Sequence, residues 1–124
     1  MKIISTPNAP AAIGPYSQAI THGKLVFASG QIALKADGSF VGSGIVDQTK
    51  QVLANLKAVL EASGSGVDKV LKTTLFLVDM NDFTLVNSLY EEFFGSHKPA
   101  RSTVAVKQLP RNAMVELEAI AAIA

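Results

Sequence analysis

The run KPARSTVAV, residues 98–106, places Arg101 at the start of a β-branched strand, and MVELEAIAAIA, 114–124, puts Glu116 and Glu118 on the last strand. A guanidinium is a planar fork of donors that meets a carboxylate with two parallel hydrogen bonds. A solvated arginine at a strand end is an equally ordinary use of the residue. Side chains alternate along a strand, so Glu116 and Glu118 share one face while Val115 and Leu117 point to the other. If that strand is interior to a sheet, a glutamate on it is half buried and needs a donor. For Glu118 the simpler assignment is a polar outer face, paired with Lys107 or Arg111 on the adjacent strand.

Further residues could join them. Asn87 falls on the helical stripe Phe83, Asn87, Tyr90, Phe94, an amide among apolar side chains that must bond a strand edge or a pocket wall. Tyr16 follows Gly14-Pro15 at the end of a stiff loop, as a core-edge tyrosine or a lid over a ligand. Gly30, beside Ser29, interrupts an otherwise good strand and signals a bulge or a close backbone approach. An anion anchor, a carboxylate, an amide, a hydroxyl and exposed backbone together suit binding a small carboxylate-bearing molecule and directing water at it.

Other chemistries find little support. The chain has no cysteine, which removes disulfides, thiolate nucleophiles and cysteine-ligated metals. His22 and His97 have no neighbour at metal-ligand spacing, and Ser29 in ASGQ lacks the GxSxG elbow. No GxGxxG, Walker loop or HExxH occurs. Eleven Lys plus Arg stand against ten Asp plus Glu, a formal charge of +1, and the lysines are scattered. That is not the basic track a nucleic-acid binder needs. MKIISTPNAP has no apolar secretory core, and no apolar run is long enough to cross a bilayer. The expectation is a cytoplasmic protein with no cofactor, no metal, no nucleic-acid partner and no membrane association.

Positioning these residues requires one domain, 1–124. KIIS reads as a short strand, followed by an irregular segment set by Pro7, Pro10 and Pro15. Two strands meet at a His22-Gly23 turn, and KADG suggests a further hairpin into SFVG. Val52, Leu53, Leu56, Val59 and Leu60 repeat at helical spacing, with Asp47 as N-cap and Gly64 as the stop. VLKTTLFLV, 70–78, is apolar on both faces, as a central strand covered on both sides would be. A second helix, capped by Asp79 or Asn81 and ended by Gly95, precedes the last two strands. The sum is an α+β layer of five or six strands with both helices on one face. Its other face is also apolar, and a second copy of the chain is the simplest cover.

Taken together, NAPAAIGPYSQA, FASGQI, QTKQVLANLKAVLEASG, KTTLFLVDMNDF, VNSLYEEFF and PARSTVAVKQLPRNAMVELEAIA resemble, in that order, the RidA/YjgF family of enamine/imine deaminases. The resemblance implies a chorismate-mutase-like mixed β-sheet with two helices on one face, assembled as a homotrimer with sites between subunits. It implies that Arg101 grips the substrate carboxylate and that Glu116 positions water or the departing nitrogen. Tyr16, Ser29, Gly30 and Asn87 would line the pocket. Thr103 stands where many members carry cysteine, so a backbone contact survives there and thiol chemistry does not. The short GSHKPARS loop leads into Arg101 and so bears on pocket width and substrate preference. The activity implied is that of a metal-free 2-iminobutanoate/2-iminopropanoate deaminase. Its substrates would be 2-aminoacrylate and 2-aminocrotonate released by pyridoxal-phosphate dehydratases. The alternative is a non-catalytic regulatory protein that binds small acids in the same clefts.

Overall fold

The computed structural model describes residues 1–123. Its sheet has six strands: β1 (Lys2–Ile4), β2 (Ala19–His22), β3 (Leu25–Gln31), β4 (Val70–Leu77), β5 (Ala100–Ala105) and β6 (Val115–Ala122). They lie in the order β1-β2-β3-β6-β4-β5, so the last strand occupies the interior. β6 runs antiparallel to both β3 and β4, and β4 runs parallel to β5. Two helices, α1 (Ile45–Ala62) and α2 (Phe83–Phe94), therefore each sit in a crossover between parallel strands. This is the mixed α+β sheet with two helices that the sequence implies.

Both helices pack on the face formed by Leu75, Leu77, Val115, Leu117, Ala119 and Ala121, all at most 4 % exposed. Leu56, Val59 and Leu60 of α1 are fully buried against it, as the three- and four-residue spacing requires. α1 begins two residues before Asp47. Gly44, at φ 126°, is the N-cap, and Asp47 lies in the first turn, accepting a 2.7 Å bond from the Ser43 hydroxyl. A carboxylate there meets the same positive helix end that it would meet as a cap. At the other end Gly64 (φ 80°) and Ser65 donate back to Glu61 and Leu60, closing the last turn. Neither Asp79 nor Asn81 caps α2: its N-cap is Asp82, whose side chain makes no capping bond, while Asp79 accepts from the Asn81 amide at 2.9 Å and caps the short 3-10 turn before the helix.

Other expectations change. KADG does turn, with Gly38 donating to the Lys35 carbonyl, but the following residues pair only through one bridge, Leu34 to Phe40. Glu118 has no ion pair among the described residues. Its strand lies between β3 and β4, out of reach of the segment carrying Lys107, and Arg111 instead stacks over Phe40 at 5.7 Å. β4 is interior, yet only its helix-facing side is covered. Register places Ile3, Ile20, Phe27 and Ile120 in one row on the open face, with Glu116, Phe76 and Val104 in another. Phe27 is 45 % and Val104 41 % exposed. So the uncovered apolar face is present in the single chain.

Candidate functional site

Arg101 stands opposite Thr73 across the β4–β5 ladder, and paired residues point the same way. Thr73 is fully buried beneath α2, so Arg101 projects over that helix. Its Nη1 donates to Asn87 Oδ1 at 2.8 Å. Its guanidinium carbon lies 4.7 Å from the Tyr90 ring centre and 5.4 Å from that of Phe83. Rings hold such a cation by their negative faces, leaving its in-plane donors for hydrogen bonds. No carboxylate of the described residues pairs with it; Lys69–Asp68 at 3.7 Å is the ion pair found among them. A cleft of about 400 Å³ opens here, its lining including Asn87, Tyr90, Glu91, His97, Lys98 and Arg101. Thr103 lies two residues along the same face, and its hydroxyl is buried with no hydrogen-bond partner among the described residues.

The second group gathers elsewhere. Tyr16, Ser29, Gly30, Ile32, Pro110 and Glu116 line a separate cavity of about 280 Å³. The irregularity expected at Gly30 is a register shift between Ala28 and Gln31, and the Glu116 carboxylate lies over the glycine it exposes. A Cβ built at Gly30 would collide with that carboxylate, with Glu116 Cδ only 2.8 Å away. The Ser29 hydroxyl is spent on the Ser17 carbonyl at 2.6 Å, so Ser29 offers the cavity mainly its backbone. Buried Gln18 ties the loop ahead of Tyr16, accepting from the Thr6 amide and donating to the Pro10 carbonyl, each at 2.7 Å. Pro110 is followed by Arg111 (φ 60°) and Asn112 (φ 54°), two left-handed non-glycine residues that cost on the order of 1 kcal/mol each. Burial pushes the Glu116 carboxyl above its ordinary range, and the Glu118 charge adds to the shift.

The expected site residues thus fall into two groups within one chain: Arg101, Asn87 and Thr103 beside α2, and Tyr16, Ser29, Gly30 and Glu116 at the cavity over β3 and β6. Through Thr73, Arg101 shares a face with Ala119, whereas Glu116 lies on the alternate face. The two charged groups therefore project from opposite sides of one sheet. Residues not singled out at first are Tyr90 and Phe83, which hold the guanidinium, Gln18, which ties the loop, and Pro110. The stripe Phe83–Asn87–Tyr90 was the available signal for the first two, since all three meet Arg101 from one helix face.

Gly30→Ala tests the contact over β3. The added methyl must move Glu116, so stability is expected to fall by about 1–3 kcal/mol, read by urea denaturation.

The chain is thus an α+β protein with a guanidinium that pairs with no carboxylate of the described residues at one cleft and a half-buried carboxyl at another. Comparison with known proteins narrows that description. Residues 6–123 match the family model described as Endoribonuclease L-PSP. The chain is 50 % identical to a RutC family protein of Pyrococcus horikoshii, over 97 % of this chain and 96 % of that one. It is 48 % identical to the 2-iminobutanoate/2-iminopropanoate deaminase of Mus musculus, over 97 % of this chain and 90 % of the relative. The crystal structure of Escherichia coli TdcF with bound serine superposes with TM-score 0.95 at 41 % identity, covering 100 % of both chains. The chain belongs to the RidA/YjgF family, and full-length relatives of it are named as deaminases.

Proposed function

We propose that the protein hydrolyses short 2-imino acids, 2-iminobutanoate and 2-iminopropanoate, to 2-oxo acids and ammonia. It does so in clefts shared between copies of a homotrimer. The imines arise by tautomerisation of 2-aminocrotonate and 2-aminoacrylate. The observation that carries the reading is Arg101, a half-buried guanidinium with no carboxylate partner among the described residues, held by aromatic faces and one amide. Such a group is an anion receptor awaiting its anion. The two half-sites on opposite faces of one sheet, and the open apolar face, support completion of each site by a neighbouring copy.

In this reading Arg101 binds the substrate carboxylate and holds C2 of the imine against the neighbouring copy's Glu116. Thr103 supplies its unmet hydroxyl nearby. Water adds its oxygen to C2 while the C=N electron pair takes a proton at nitrogen. The tetrahedral adduct then breaks its C–N bond, ammonia leaves, and the hydroxyl loses its proton to give the 2-oxo acid. Nothing is oxidised or reduced. A carboxyl that keeps its proton above the ordinary range can donate to the nitrogen and take a proton back from the added water. Imines hydrolyse unaided, so orientation and one proton relay suffice.

The test is a coupled assay in which a serine or threonine dehydratase generates the imine and 2-oxo acid formation is followed with and without this protein. Acceleration is expected; tight binding of the acid without acceleration would favour the capture role instead. Glu116→Gln refines it. The catalysed-to-spontaneous ratio should fall about a hundredfold or more and lose the decline that wild type shows as pH rises through the raised Glu116 value. Native Glu116 keeps its proton above the ordinary value of 4.5. Stability tied to this group is therefore full below that value and lost as pH climbs through the raised one. The glutamine variant should accordingly melt no lower than wild type at neutral pH, which separates lost chemistry from lost fold.

A further inference from the structure

Arg101 lies on β5, the edge strand, where a long side chain ordinarily samples many rotamers and restraining it costs conformational entropy. Here the restraint is supplied by the fold. Thr73 is the ladder partner of Arg101, its hydroxyl lies 2.7 Å from the Tyr90 hydroxyl, and the Tyr90 ring lies 4.7 Å from the guanidinium carbon. Backbone ladder, hydroxyl pair and ring contact close a circuit from Arg101 back to itself. Thr73 is 0 % and Tyr90 7 % exposed, so neither side chain is free to swing. Phe94 packs on the Tyr90 ring at 4.6 Å between centres and fixes it from behind. Burial raises the Tyr90 hydroxyl above its ordinary range, keeping it neutral and available to the Thr73 oxygen.

We infer that Tyr90, anchored by Thr73, is the positioning residue that sets the plane of the Arg101 guanidinium and, through it, the plane of the bound substrate. The inference rests on the carboxylate-anchor role given to Arg101 above. A bidentate carboxylate lies in the plane of the guanidinium that binds it. In a 2-imino acid the C=N bond is conjugated with that carboxylate, so the ring face under Arg101 also orients the faces of C2 that water must approach. The positioning is selective by shape. A planar 2-imino or 2-oxo acid inherits this orientation at its reacting carbon, whereas a tetrahedral 2-amino acid does not. Asn87 restrains one terminal nitrogen within the plane, and Tyr90 restrains the plane itself.

Kinetics in two backgrounds test this. Tyr90→Leu should lower kcat/KM for the imine about tenfold and weaken inhibition by 2-oxobutanoate by a similar factor. Tyr90→Phe keeps the ring and should lose no more than about threefold, with rescue relative to leucine as the signature. Thr73→Val should match Tyr90→Phe, and the double variant should be no worse than either, because both break one hydroxyl pair. In an Arg101→Lys background, Tyr90→Leu should change kcat/KM less than about twofold, since no planar group remains to be positioned. An equal loss in both backgrounds would mean that Tyr90 merely supports the core, and would overturn the inference. So would unchanged kinetics for Tyr90→Leu beside an impaired Arg101→Lys. Full activity in Arg101→Lys itself would overturn the anchor reading and this inference with it. Should Tyr90→Leu fail to fold, the Phe and Val variants decide alone: additive losses from those two overturn the hydroxyl pair as the anchor.

Discussion

Replacing Arg101 with alanine is expected to lower kcat/KM for imine hydrolysis by about a hundred- to a thousandfold while melting temperature and assembly stay close to wild type. Truncating one partner of a desolvated, hydrogen-bonded charge pair typically costs about 2–5 kcal/mol, which brackets that range. The effect should divide between KM and kcat. The carboxylate does not react, so part of its binding is uniform and appears in KM. Its grip also fixes C2 relative to water and to the Glu116 carboxyl, and that part appears in kcat. Stability should hardly change because the guanidinium has no ion pair among the described residues to lose, and the Asn87 carbonyl it leaves is only half buried. A variant with wild-type kinetics would remove Arg101 from the mechanism.

The family model's description names an endoribonuclease, and Arg101 alone does not make this chain one. Affinity for a polyphosphate comes from many cations along a track, and here the excess of cationic over anionic residues is one. What the cleft offers is one guanidinium and one lysine, with the Glu91 carboxylate also in its lining, which is not a cationic track. The deaminase reading also uses the raised Glu116 carboxyl, which phosphate-backbone binding leaves without a role.

Much of this fold was legible because its signals are local. Leu56, Val59 and Leu60 marked the buried stripe of α1 from spacing alone, and Gly30 announced both the register shift and the close approach of a neighbour. The errors arose where a local signal was weaker than its surroundings. Asp47 stabilises the helix end from the first turn, because Gly44 already makes the bend that a cap residue would make. The Asp37-Gly38 turn forms, yet the segments beyond it are too weakly paired to extend a hairpin. The placement of Arg101 and Glu116 on opposite faces was not readable in advance. Alternation fixes phase within a strand, whereas phase between β5 and β6 depends on β4 standing between them. Tyr90 is a similar case: its stripe was visible, but its task becomes clear only once β5 lies beneath α2. Glu118 found no cation because its strand neighbours proved to be β3 and β4.

The opposed faces lead to the sharpest expectation. Arg101→Ala and Glu116→Ala chains should each be nearly inactive, yet co-refolding or co-expressing them in equal amounts should restore imine hydrolysis. If every site takes its arginine from one copy and its carboxyl from the next, random mixing leaves about a quarter of the sites with both groups intact. Activity near that fraction of wild type is the expected result for the unsorted mixture in the dehydratase-coupled assay, and mixed trimers isolated by a tag on one chain, each with one intact site of three, should reach about a third. Chains mixed only after folding should recover activity at the rate of subunit exchange. The design has an internal control, since doubly substituted chains mixed with either single variant form no site with both groups and should recover nothing. Were both groups to serve the same site within one chain, no mixture of the two variants would hold an intact site, and activity would stay at the level of the separate proteins. Recovery therefore requires a site made by two copies, the arrangement proposed from Arg101 and Glu116 lying on opposite faces of one sheet.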